Sequence, residues 1–262
     1  MSQEIARIKM EDKKAMKKFA AVMLVSLIVG ACAGIGLVIV KFYGIEVVNQ
    51  MLEQILFVVL TYGMPVVTVV VTAVVIAIYV NSRKAFRNWD GESEEPINTV
   101  ERRLAYALWL VAINIIWNYF VFGAAFCSHY WDGIQNENLA GNVLVMAVFF
   151  IAAIFITLVE QQKIVNLEKE INPEKMGSVY DTKFQKKWEE SCDEAEKLQI
   201  YKCGYKAYRV TYNLCIGLWV FCVLGGFIWE FGIVPVLMVT VIWAVMVTVY
   251  SMESIRYSKK GK

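Results

Sequence analysis

The sequence predicts an all-α, polytopic integral membrane protein: six transmembrane helices arranged as three hairpins, with an amphipathic cytoplasmic helix ahead of the fifth span. Three observations predict it. Of 262 residues, 58% are apolar and only 19% are charged, where an ordinary soluble domain carries about 25% charge. The apolar residues gather into long uncharged runs separated by short charged stretches, as a bilayer requires and a globular core does not. The basic residues, finally, alternate in step with those runs.

The runs cover residues 19–40, 54–80, 104–129, 139–159, 210–229 and 231–252. Each exceeds the roughly 18 apolar residues that cross about 30 Å of hydrocarbon as a helix. Valine-rich stretches such as 66–75 would favour strand in water, but in lipid the backbone must satisfy its own hydrogen bonds, so helix is expected. Lys41 is the only one of the 26 Lys and Arg residues that falls between spans one and two, three and four, or five and six. The basic side is therefore expected in the cytoplasm, with both termini. Tyr130, Trp131 and Trp229 at the outer ends of runs, and Tyr79, Trp89 and Tyr250 near the inner ends, suit headgroup level. Val29-Gly30-Ala31-Cys32 resembles a lipidation box, but the chain stays apolar to Val40, so an uncleaved span is expected.

The domain reading follows: a basic tail at 1–18, a six-span domain at 19–252 with cytoplasmic connections at 81–103 and 160–209, and a basic tail at 253–262. The external loops, residues 41–53, 130–138 and around Glu230, leave no room for an outer domain. Connection 81–103 is expected to turn at Asp90-Gly91 and again near Glu95-Pro96. Asn98-Thr99-Val100-Glu101 then reads as a capping box opening span three. In connection 160–209 the fourth helix is expected to run on to about Ile171 and stop at Asn172-Pro173. After a turn near Gly177, Asp181 is expected to cap a helix leading into span five. Phe184, Trp188, Ala195, Leu198, Tyr201, Tyr205 and Tyr208 trace its apolar stripe, with charged residues opposite. That stripe suits a membrane surface, the first connection or a partner.

The segment Asp181-Thr182-Lys183-Phe184-Gln185-Lys186-Lys187-Trp188, followed by Asp193 to Lys202, resembles the domain of unknown function 3169 family. The resemblance implies a multi-span protein of the plasma membrane of a Gram-positive bacterium. It brings no reaction, substrate or catalytic residue with it.

Enzyme chemistry finds little supply. His129 is the only histidine, so neither a two-histidine metal site nor HExxH is available, and no GxSxG or Walker loop occurs. The six cysteines form no CxxC pair and read as small hydrophobes. No cofactor and no metal is expected. Ser26, Gly30 and Gly34 make a small-residue face that lets helices approach closely. Asn114 and Asn118, one turn apart on span three, are the strongest intramembrane polar feature, joined by Thr68 and Thr72 on span two, where Pro65 marks a kink. Amides so placed act as interhelical glue or bind a polar solute. No Asp, Glu, Lys or Arg lies mid-span, and Glu160 is expected at the inner surface, exposed.

Two functions fit. The first is a non-enzymatic accessory, sensory or immunity-type membrane subunit. The second is a small transporter or permease subunit using the Asn114/Asn118 face. Expected partners are the lipid bilayer and a membrane protein, another copy or a different chain; nucleic acid is not expected.

Overall fold

In the computed structural model, the described residues are 45–127, 139–228 and 232–260, with Met16 and Leu24. All their regular structure is helical: α1 Ile45–Arg87, α2 Glu94–Cys127, α3 Leu139–Ile171, α4 Phe184–Glu190, α5 Glu194–Ile228 and α6 Val234–Lys260. Five of these, all but α4, are long and apolar enough to cross a membrane. Of the first expected span, 19–40, only the helical, exposed Leu24 is described. The face Ser26, Gly30, Gly34 lies outside the described residues, as do His129, Tyr130, Trp131 and Trp229.

The helices overrun the apolar runs. α1 begins at Ile45, inside the stretch expected as an external loop, and ends at Arg87, seven residues beyond the run ending at Val80. Pro65 sits within it without ending it. The first connection shrinks accordingly to a turn. Asp90 Oδ1 accepts from the amides of Glu92 and Ser93, both at 3.0 Å, and from Ser93 Oγ at 2.8 Å, while Gly91 takes φ +82°. These bonds, from the Ser93 and Glu92 backbones first, hold the Asp90 carboxyl down at about 2. α2 starts at Glu94, not at Asn98. Glu94 and Glu95 complement the helix dipole, and Pro96 falls in the first turn, where its missing N–H loses no intrahelical bond. Thr99 accordingly donates to the Glu95 carbonyl inside the helix, and no box forms at Asn98 to Glu101.

The described chain divides into two units, Gln50–Ile200 and one that includes Tyr201–Lys262. In the first, α1, α2 and α3 pack around two apolar clusters. Val75, Val100, Leu104, Val111, Ile164 and Leu167 form one. Leu60, Met64, Val121 and Ala125 form the other, flanked by Trp117, Phe122, Met146 and Phe150. Phe122 stacks on Phe150 at 4.2 Å between centroids. The opposite faces are equally apolar and exposed, as at Val66, Val69, Val70, Leu144, Ile151 and Phe155. In the second unit Tyr208 stacks on Tyr250 at 4.5 Å and Tyr212 meets Trp243 edge-on, joining α5 to α6.

α3 ends at Ile171 ahead of Asn172-Pro173, where the sequence placed it. The expected single amphipathic helix after it is instead two. α4 spans seven residues, with Lys183 rather than Asp181 as its N-cap; Asp181 Oδ1 accepts from the Lys183 amide one position earlier. Chain direction is reset at Ser191 to Asp193. There Glu196 N donates to Asp193 Oδ1 at 2.7 Å and Asp193 N donates to Glu196 Oε2 at 2.9 Å, a reciprocal box that starts α5. Phe184 and Trp188 are thus half-buried on α4, while Leu198, Tyr201 and Tyr205 are exposed on α5.

Candidate functional site

The interior of α1, α2 and α3 carries a polar stripe. Thr68 and Thr72 are one turn apart on α1, Asn114 and Asn118 one turn apart on α2, and Thr157 and Glu160 nearly so on α3. All are buried except Thr72, which is half-buried. The spacing places each pair on one helix face, and packing turns those faces inward.

Thr68, Asn114 and Asn118 make a bonded layer. Asn118 Nδ2 donates to Thr68 Oγ1 at 3.0 Å and to the Asn114 carbonyl at 2.8 Å. The Thr68 hydroxyl donates to Asn114 Oδ1 or Asn118 Oδ1, each at 3.3 Å. Just beyond, Trp117 Nε1 donates to the Gly63 carbonyl at 2.9 Å. Glycine makes room for it: a Cβ at 63 would sit 3.2 Å from the indole. A neighbouring helix thereby grips α1 two residues before Pro65.

One turn nearer the basic end of α1, satisfaction fails. Thr72 Oγ1, Ser82 Oγ, Asn114 Nδ2 and both carboxylate oxygens of Glu160 have no hydrogen-bond partner among the described residues. Thr157, by contrast, donates back into its own helix, toward the carbonyls of Ala153 at 3.0 Å and Ile154 at 2.8 Å. Glu160 is only 7% exposed. The expectation of an exposed interfacial carboxylate is therefore corrected. The apolar run stops at Val159, but the helix does not, and Glu160 falls on the inward stripe that continues as Ile164, Leu167 and Ile171. That spacing of four, three and four was the signal available in the sequence.

A second polar group sits beside the connection after α3. Asn172 Nδ2 donates to Glu101 Oε1 at 2.9 Å and to Glu168 Oε1 at 3.4 Å, tying α2 to the end of α3. Glu101 and Glu168 line a cleft of about 420 Å³ together with Gln161, Phe184 and Trp188. Below it, the buried Lys175 ammonium pairs with Glu196 and lies 3.5 Å from Cys192 Sγ. Burial works against its charge, yet the Glu196 hydrogen bond and the Cys192 sulfur hold the lysine above its ordinary value. Gly177, at φ +124°, has its Cα hydrogens against the Phe184 ring, since a Cβ there would lie 2.9 Å from Cδ2. None of the Glu101, Glu168, Lys175 or Cys192 contacts was read from the sequence; apart from the Asn172–Glu168 bond within one helix end, each joins residues far apart in it. Among the described residues, no three His, Cys, Asp or Glu side chains gather as a metal site.

All regular structure among the described residues is helical, with five long apolar helices and a built connection at residues 172–193. A family model described as Protein of unknown function (DUF3169) matches residues 13–254. The chain belongs to that family. The DUF3169 match takes in all three groups of polar side chains, at residues 68–118, 157–160 and 168–196. No curated protein and no solved structure matches this DUF3169 chain.

Proposed function

We propose that the chain is a multi-pass plasma-membrane protein of a Gram-positive bacterium, with six spans in three hairpins and both termini in the cytoplasm. It acts as a non-enzymatic accessory, sensory or immunity-type subunit. One observation carries the membrane placement: side chains such as Val66, Val69, Val70, Ile116, Leu144 and Phe155 are exposed on the outward faces of helices whose inward faces hold the polar groups. A soluble monomer rarely exposes contiguous apolar patches beyond a few hundred Å². The retention of every Lys and Arg but Lys41 on one side of the six runs supports the orientation.

The accessory role rests on how the polar residues are used. Asn114 and Asn118 both bond to Thr68, and Asn118 Nδ2 also donates to the Asn114 carbonyl, closing the layer rather than lining a path. On α5, Leu198, Tyr201 and Tyr205 are exposed, an apolar and aromatic stripe suited to a protein partner or the headgroup layer. Fusions of a cytoplasm-active reporter after Trp188 and of a periphery-active one after Ile228 test the orientation; activity of the opposite kind at Trp188 overturns it. Crosslinking from native membranes, followed by pull-down, should return a defined membrane-protein partner, and solute flux by the purified chain alone in liposomes would overturn the accessory role.

A transporter or permease subunit is the second reading. The unpaired Asn114 Nδ2 and the buried Glu160 carboxylate favour it, since unsatisfied polar groups at depth mark solute and ion paths. Replacing Asn114 and Asn118 together by leucine should then abolish uptake while insertion persists.

A further inference from the structure

Between α1 and α3, toward their basic ends, lies a cleft of about 380 Å³, a volume in the range of small-molecule sites. Its walls are apolar: Ile76 and Val80 from α1, Phe155, Ile156 and Val159 from α3. Ile76, Val80, Phe155 and Ile156 are themselves exposed, so the cleft opens sideways along the helices rather than into the bundle. On its floor the Thr72 hydroxyl stands beside the Glu160 carboxylate, close enough to interact with it but without a well-formed hydrogen bond, and no other described residue bonds to their three oxygens. Lys163, one turn along α3, stands exposed at the rim. Tyr79 is occupied, accepting at its hydroxyl from Arg83 Nη1 at 2.7 Å.

A carboxylate more than nine-tenths buried and unpaired is a large desolvation penalty unless something neutralises it. A divalent metal does not fit, since one carboxylate and one hydroxyl in an apolar wall supply far too few oxygens. An anion does not fit either, with the negative group on the floor and the positive one outside. The complementary ligand has one cationic head with N–H donors and one apolar tail. Its head places one N–H on Glu160 and one on Thr72 Oγ1, and its tail lies along Ile76, Phe155 and Ile156.

We propose that this cleft is a binding site for a long-chain primary amine, an amphiphile whose ammonium is countered by Glu160 and whose chain enters from the side. The site rests on the membrane placement and is independent of whether the chain serves as an accessory subunit or a transporter. Dodecylamine, protonated at neutral pH as a lysine is, serves as the probe, and dodecanol as the uncharged chain of equal length.

The full chain is reconstituted in phosphatidylcholine nanodiscs, and flotation with liposomes is scored first, so that failed membrane placement is read before any amine is added. Binding is measured by calorimetry with empty nanodiscs subtracted. The expected result is saturable binding of dodecylamine at one site per chain, about tenfold or more tighter than dodecanol. Glu160→Gln, close in shape, should bring the two probes to equal affinity, and helicity and melting of the variant confirm that it is folded. Equal binding of dodecylamine and dodecanol to the wild-type chain overturns the proposal without any variant. So does an amine preference that survives in Glu160→Gln, which would assign it to lipid partition or to another residue.

Discussion

Two polar layers, one turn apart on the same helix, are treated in opposite ways. Around Thr68, two amides and a hydroxyl from two helices close on one another, leaving only the Asn114 amide NH₂ over. Around Thr72, the hydroxyl and the Glu160 carboxylate share a cleft and make no well-formed hydrogen bond with each other or with any other described residue. The first layer behaves as glue: its groups are worth most to the fold when all are present. The second is a poorly satisfied buried carboxyl group retained in the bundle, the feature on which the proposed amine site rests.

Mutations of opposite sign would break or sharpen this contrast. Asn118→Leu removes the donor that serves both Thr68 and the Asn114 carbonyl and leaves their acceptors stranded. A loss of about 2 kcal/mol is expected, read as a lower midpoint in denaturant unfolding of the purified chain followed by tryptophan fluorescence. Glu160→Met should do the reverse and gain about 1 kcal/mol in the same assay, because nothing is bonded to the carboxylate and its desolvation disappears. If Glu160→Met were as damaging as Asn118→Leu, the two layers would be alike and the contrast would fail. Trp117→Phe keeps the ring against Gly63 but deletes the N–H to its carbonyl, and a loss of about 0.5–1 kcal/mol is expected.

The smallest effect compares two carboxylates. Asp90, exposed, is fully served by Ser93 and Glu92, where Glu160, buried, has no well-formed hydrogen bond among the described residues. The folded value of Asp90 lies below its ordinary 3.8, at about 2. Its contribution to the turn is therefore complete above 3.8 and lost as the pH falls toward 2. Amide exchange at Glu92 and Ser93 should accelerate over that window while the helices on either side keep their protection; protection that persists at pH 2 would show that the carboxylate does not hold the turn.

The sequence made the apolar helices legible because length and charge sorting need no knowledge of packing. Helix ends were less so. Glu94 and Glu95 with Pro96 read as a turn although acidic residues and proline also open helices, and Asn98 looked like a cap although the helix had already begun. The stripe from Phe184 to Tyr208 kept its period across Ser191 to Asp193, so periodicity alone could not reveal the break that the Asp193/Glu196 box creates. Glu160 was missed for a related reason. A helix apolar all round gives no rotational phase, so only the residues after it, Ile164, Leu167 and Ile171, fix which way the carboxylate faces. Asn114 and Asn118 were legible as a pair; that Thr68 would join them depended on how two helices meet.

The lock at the end of α3 has a practical corollary. Cys192 is sealed beneath Lys175, whereas Cys203, eleven residues on, stands exposed on α5. A thiol-reactive dye will therefore consume Cys203 at once and reach Cys192 only when the lysine lets go of Glu196. The delay between the two events is a built-in clock for how often the connection opens, and any molecule that docks on it should change the interval.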